Sequence, residues 1–594
     1  MLRVLRATRA LSILVLVGWV TGCGGDDGPA APTAPPGPDP EPSLAFEPGT
    51  VSLGESRSTL IRIRNSGTAA AGPVDLMASA VRASGGTAIP GASLSVTPAR
   101  IATLNPGDER DLTVDLSLPQ GLAGGSYDVG LEARAGGETL ASLDVAFAVV
   151  PPTGPAVGSV EISGPAAGLE QGEVFQFTVE VRDPDGAPVV DPQVGWRVLP
   201  AGAGLVTTDG RFVAYEPGSI QVVAEAQAAA DTFALTSAAR AAPTGQFRTI
   251  ANGSVETRYT SDHWEHGSTA YSGTWSCRNV PGGACGDALF VWDLSAGAPA
   301  LVDSVIVDAR VVNDIKVSAD GRLGILTHEH SDDMQNGITL LDLADPIRPE
   351  VIIRFTAPDL TPGVHNVWIE GDYAYLVVDG TSPNSGLRIL DISNPASPTI
   401  VASFYGGSSF LHDVYVRDGL AFLSHWDAGL IILDVGNGVK GGSPVSPREV
   451  GRIDIPGYWV HNAWYWPDAG YVFLGDEINL PGRVRVVDVR DPASPLEVAS
   501  ISRPGAAPHN FWVDEARGIG YFAWYEAGVQ AFDVRGELLG DLERQGRFIA
   551  DAGYAPGGAC VTADQQCAWA PQLHDGRLYI SDMNTGLWVL DPDF

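Results

Sequence analysis

Positive charge, cysteine and any familiar catalytic signature are what this chain has least of. Only 36 Lys and Arg stand against 71 Asp and Glu, a net charge of −35. A surface of that sign repels phosphate backbones, so nucleic acid is excluded as a partner. It suits solubility outside the cell and attracts cations. There is no P-loop, no Gly-x-Ser-x-Gly elbow and no His-Glu-x-x-His motif, which removes the commonest nucleotidase, hydrolase and metalloprotease readings. His328-Glu-His330 falls two residues short of that zinc motif and sits at a strand end, not on a helix. Long apolar runs are absent too. The stretch from Leu11 to Val20 is shorter than the roughly 20 residues that a spanning helix needs.

That stretch follows Arg3, Arg6 and Arg9 and stops at Thr21-Gly22-Cys23, so residues 1–22 are expected to be an export signal. The ending Val20-Thr-Gly-Cys23 resembles a bacterial lipobox. The resemblance implies that Cys23 is lipidated and that the protein is anchored in the bacterial cell envelope, at the outer membrane or cell surface. Residues 23–43, almost all Gly, Pro, Ala, Asp and Thr, cannot bury a core and form a tether. Four cysteines remain, Cys277, Cys285, Cys560 and Cys567. They permit three connectivities, and local pairing is the simplest in an oxidising compartment. A zinc site is the rival, but the spacings do not suit the usual knuckles, and His574 is the only His near the second pair.

What the chain does have is repetition. Seven times it writes an alternating strand ending in Asp, at Asp293, Asp342, Asp391, Asp434, Asp488, Asp533 and Asp591. Self-similarity at about 40 to 60 residues marks a β-propeller with one four-stranded blade per copy. Seven blades are expected over 245–594; six would require a partial first or last copy. The last copy lacks its fourth strand, and Gln246 to Ala251 is expected to supply it and close the ring. The seven Asp cap turns, because short Asx side chains bond their own backbone there. Phrases such as Leu387-Arg-Ile-Leu-Asp-Ile-Ser-Asn-Pro395 and Val484-Arg-Val-Val-Asp-Val-Arg-Asp-Pro492 resemble the LVIVD repeat family of surface-exposed propellers, for which no single activity follows.

Upstream, short strands separated by turns predict β-sandwiches over 44–151 and 156–241. The second resembles bacterial Ig-like surface domains, with Trp196 in its core. Asp183 and Asp185 can hold calcium, but Asp183-Pro-Asp-Gly186 is first of all a turn. The fold class is therefore all-β: two Ig-like sandwiches, taken as spacers, followed by the propeller.

Four consecutive copies begin their innermost strand with His: His365, His412, His461 and His509, each followed by Asn or Asp. The loops at the same end bring His328, His330, Asp379, Glu477 and Glu526. All ten His lie in this region, but strand alternation leaves open whether they converge. Three readings follow. The imidazoles bond neighbouring blades; or they hold a transition metal, with Asp413, His328 and His330 as additions; or an acidic, Trp-rimmed mouth binds a peptide, glycan or calcium. The second resembles the metal-holding carotenoid-oxygenase and methanethiol-oxidase-type propellers. The sequence favours binding or adhesion by a lipid-anchored surface protein with a protein, peptide or glycan ligand. The alternative is a metal-dependent oxidase, lyase or hydrolase, and no catalytic residue is named.

Overall fold

The computed structural model describes residues 41–594, except 48–49, 54–57, 84–85, 118–124, 150–154, 381–384, 408–409, 427, 456–458, 478–481, 504, 557–559 and 561–565. The export signal, Cys23 and most of the tether lie outside the described residues. No α-helix occurs among the described residues, only strands and two 3-10 turns.

The first region is two facing sheets. Leu44–Glu47, Ser58–Asn65, Glu109–Ser117 and Ser93–Thr97 make one; Thr50–Leu53, Glu138–Val149, Gly125–Ala135, Val74–Ala78 and Arg100–Ile101 run through the other. Period-two alternation sends Ile61, Ile63, Leu112 and Val114 inward from the first, to meet Val74, Val129, Leu131 and Val145 from the second. The second region, Ser159–Ser163 to Ala229–Ala238, packs three smaller sheets around Phe177, Phe212 and Val222. Trp196 packs on that core, 6.3 Å from the Phe177 ring. Asp183 is occupied by its own turn, accepting hydrogen bonds from the Asp185 and Ala187 amides.

From Gln246 onward the described strands form seven sheets, six of four strands and one of five. In each, three strands follow in chain order from the inside outward, named A, B and C here, and a fourth, D, completes the sheet. Every C strand is one of the repeated phrases, as in Gly386–Asp391 and Gly429–Asp434. The leading glycine is forced at several copies. Gly386, Gly429 and Gly586 have φ of 88°, 82° and 94°, and a Cβ on them would meet a D-strand carbonyl at 2.8, 2.1 and 2.3 Å. Six of the terminal Asp accept a hydrogen bond from the amide two residues on, as Asp391 does from Ser393. The last sheet takes its D strand from the front of the region: Gln246–Gly253 pairs antiparallel with Gly586–Asp593, Thr249 opposite Leu590. Apolar side chains of adjacent sheets interleave, as Val377 and Ile389 do with Val414 and Ile431.

The second region is more than a spacer. Between strands C and D of the sixth copy the chain makes an excursion, Gly540–Asp541 pairing in parallel with the neighbouring sheet, and this excursion seats the second region. Leu539 packs with Tyr215 and Val213. The Gln171 amide donates to the Arg544 carbonyl, and the buried Arg547 guanidinium to the Gly172 carbonyl. Arg240 reaches the buried Asp533 carboxylate.

Candidate functional site

A bulge at the start of every A strand settles where the histidines point. In strand Val364–Glu370, Val364 faces Val378 and Val367 faces Leu376, so His365 and Asn366 together oppose one residue. The same shift occurs at Ser261-Asp262, His461-Asn462 and Trp569-Ala570. Around Asn313-Asp314 the register slips by one between Val311 opposite Glu329 and Ile315 opposite Leu326. At His412-Asp413 and His509-Asn510, both residues of each pair bond one partner strand residue. A bulge puts two side chains where one belongs and re-aims them. It also brings the residue three further along onto the same face.

Three layers across the channel result. Outermost is a run of rings: His365 to His412 at 4.5 Å between centroids, His412 to His461 at 4.1 Å, His461 to His509 at 4.2 Å and His509 to Trp569 at 4.3 Å. Beneath lie the second pair members, Asp262, Asp314 and Asp413 among them, with the buried Lys316 ammonium between Asp262 (3.0 Å) and Asp314. Below that, Trp264, Trp368, Tyr415, Trp464 and Trp512 form a closed aromatic belt, each ring 4.4–6.3 Å from the next. Lys316 stands 5.2 Å over the Trp264 ring, a cation–π contact. The channel is a filled core with one chemical end.

At that end the hydrogen bonds fix the tautomers. His412 Nδ1–H donates to the His461 carbonyl (3.0 Å) and His509 Nδ1–H to the Trp569 carbonyl (2.7 Å). A carbonyl only accepts, so in the neutral rings Nε2 keeps its lone pair. Asn366 likewise donates to the His412 carbonyl. His412 and His509 thus each lock a neighbouring sheet with one nitrogen and leave the other for the cavity. Burial, with His365 and His509 nearby, holds His412 well below the usual imidazole range. Burial and His412 do the same to His461, and burial lowers His509 to about 4. His365 differs. Burial pulls it down, but the Glu329 carboxylate at 2.8 Å outweighs that and raises it to about 9. Burial and Glu329 push Asp379 up to about 8. At neutral pH this corner holds its protons while the other three rings are neutral.

These groups border a cavity of about 830 Å³. Trp275, Trp569 and Met583 give it an apolar side; His365, His412, His461, His509, Glu477 and Tyr525 give it a polar one. Tyr525 donates to Glu477 Oε1 (2.7 Å), and Glu477 Oε2 lies 3.9 Å from His461 Nε2.

The structure brings together the four strand-start histidines and separates the rest of the expected set. Asp413 belongs to the Lys316 layer, its carboxyl raised to about 7 by burial and then by Asp314. His328 is buried within its sheet, where Nε2 meets Thr339 Oγ1 at 2.9 Å and burial lowers its pKa to about 3. His330 points outward at φ 57°. Glu329, between them, is the residue that turns to the site. Asp476 is held by Arg485, and Asp582 accepts from the Cys567 amide and the Tyr554 hydroxyl. Several Trp expected at the mouth lie elsewhere: Trp264, Trp368, Trp464 and Trp512 in the belt, and Trp524 in a core. Trp426 and Trp459 stack at 4.6 Å, with His412 6.0 Å from Trp426. The disulfides are the local ones, Cys277–Cys285 and Cys560–Cys567.

Among known proteins, the LVIVD repeat matches at residues 363–405 and 411–454, the third and fourth sheets, which carry His365 and His412. No curated protein matches the chain. Among solved structures, the C-terminal WD40 domain of Sif2 is 14% identical, covering 63% of this chain and 90% of its own at a TM-score of 0.37. The β-propeller domain of Myceliophteria thermophila Cps50 (Swd1) is 11% identical, covering 57% and 97% at a TM-score of 0.39. The computationally designed Ika8 protein is 10% identical, covering 66% and 94% at a TM-score of 0.36. The LVIVD matches, on two of the seven sheets, agree with a repeat β-propeller.

Proposed function

We propose that this chain is an exported, lipid-anchored envelope protein that binds a peptide or glycan segment in the mouth of a seven-bladed propeller. The observation that carries this reading is the two-sided cavity. Its volume of about 830 Å³ lies in the range of ligand sites, which are commonly about 300–1,000 Å³ and mostly apolar with a few placed polar groups. Trp275 and Trp569, 6.3 Å apart, offer faces for a sugar ring or an apolar side chain. Glu477, Tyr525 and the imidazoles offer hydrogen bonds. Seven sheets around one filled channel support the blade count. Two disulfides support an oxidising compartment, and Val20-Thr-Gly-Cys23 supports a lipid on Cys23. We read the first two regions as Ig-like modules on the tether, the second fixed to the head.

Peptide and glycan arrays probed with the whole chain, beside a Trp275→Ala/Trp569→Ala variant, test the reading. Capture by the wild type and at least about tenfold weaker capture by the variant are expected, since stacked aromatics dominate such contacts. A folded wild type that retains nothing on either array overturns it.

A further inference from the structure

We propose that His412, His461 and Glu477 bind one first-row transition-metal dication at the polar wall of the cavity. One ligand atom from each lies within 4.8 Å of the other two. Two imidazoles and one carboxylate are a donor set for zinc or a neighbouring first-row ion, whereas calcium asks for six to eight oxygens. A ligand distance of ~2.1 Å around a tetrahedral ion places donors ~3.4 Å apart. The three atoms therefore close by up to about 1.4 Å on binding, within reach of side-chain rotation at a cavity wall.

Two observations independent of the clustering point to an ion. The His412 imidazole is committed on one side only. His412 spends Nδ1–H on the His461 carbonyl and presents a lone pair at Nε2, the orientation that an outer hydrogen bond gives a metal-binding imidazole. His461 is 2% exposed, and its Nδ1 has no hydrogen-bond partner among the described residues. A buried imidazole with an unmet nitrogen costs about 1–3 kcal/mol unless something compensates. Nε2 lies 3.9 Å from Glu477 Oε2; an ion between them leaves Nδ1 unmet but gives the buried ring a bond that offsets that cost.

The site is narrower than the histidine run. His365 is committed to Glu329 through Nδ1 and belongs to a separate group with Glu329 and Asp379. It stands beside the ion as a proton-holding neighbour. His509, 4.2 Å from the His461 ring, flanks the other side. One face of the ion remains open to the cavity.

The test uses the whole chain, extracted with detergent, purified without a histidine tag, and stripped with chelator. Zinc is titrated by calorimetry, and cobalt(II) is added as a spectroscopic probe. About one equivalent of zinc is expected, with cobalt d–d bands of a low-coordinate nitrogen and oxygen site. His461→Ala abolishes the binding, and Glu477→Gln weakens it about 10- to 100-fold, the range for losing a tuned metal contact. Glu477→Gln keeps the side-chain shape, so it decides the matter if His461→Ala fails to fold. A folded wild type that takes up no zinc overturns the proposal, as does zinc bound equally by wild type and Glu477→Gln. Array binding by chelated protein separates this outcome from the fate of the peptide or glycan reading, which rests on Trp275 and Trp569.

Discussion

Arg240, at the end of the second region, places Nε and Nη2 at 2.9 and 2.8 Å from one carboxylate oxygen of Asp533 in the sixth sheet. Both side chains are buried. The acidic residue is the repeat's own Asp, here serving two purposes. Its Oδ1 accepts the Arg535 amide and Nε, like a turn cap, while Oδ2 receives the neighbouring region. The two partners predict unequal losses. Asp533→Asn leaves the Arg240 charge buried without its carboxylate and should cost about 3–5 kcal/mol. Arg240→Ala should cost less, because Asp533 keeps Arg535. Urea unfolding of the two variants, with limited proteolysis of the 156–241 segment, measures the order; a larger loss in Arg240→Ala contradicts it.

The same carboxylate predicts an acid-sensitive joint. Burial raises the Asp533 pKa, but the bonds from Arg535 and Arg240 outweigh it and hold the group at about 2, below the usual 3.8. A depressed folded pKa gives stability that is present above the unfolded value and lost as pH falls through the folded one. The loss therefore belongs between about pH 4 and 2 and amounts to about 2 kcal/mol at 1.36 kcal/mol per unit. Wild-type stability should fall through that window more steeply than that of Asp533→Asn. Parallel curves would show that this pair does not set the acid response.

How much of this could be read from the chain depended on which signals were local. The C strands were legible because Gly, alternating apolar residues and Asp describe a strand and its turn within a few positions. Closure by Gln246–Gly253 followed from counting strands. Convergence of the histidines was not decidable, since a regular strand sends His365 and Asn366 to opposite faces. A signal was present nonetheless: Trp368, Tyr415, Trp464 and Trp512 each follow their His by three, a spacing that shares a face only across a bulge. The widest gap between repeat Asp residues, Asp533 to Asp591, likewise held the excursion that docks the second region. Glu329 was hidden because the two histidines flanking it looked like the ligands.

The Cys560–Cys567 bridge holds one wall of the cavity. Cys560 lines it, and Cys567 is buried beside Tyr259, Trp569 and Met583. Closing so short a loop restrains the unfolded chain by about 2–3 kcal/mol. The Cys560→Ala/Cys567→Ala variant should lose about that much in chemical denaturation and become indifferent to reductant at this bridge. A denaturation midpoint unchanged from wild type would show that packing around Trp569 already fixes the wall.

Lys316 offers the sharpest test of the layered channel. Its ammonium lies between Asp262 and Asp314, with Asp413 near enough to act on it by charge. Lys316→Met matches the stem in length but strands three carboxyls with no cation. It should destabilise by about 3–5 kcal/mol, the cost of breaking a buried ion cluster from one side. Adding Asp262→Asn and Asp314→Asn to the Met variant should restore part of that loss. The Asp262 oxygen that accepts the His263 amide survives as an amide oxygen, whereas Asp314, which accepts from both Ile315 and Val367, keeps one of its two bonds. Against that loss, a neutral polar layer of similar volume carries no uncompensated charge. Urea midpoints of the single and triple variants decide it. If the triple variant is no more stable than the single, the Lys316 stem packed on the Trp264 ring, rather than its charge, is what the channel needs.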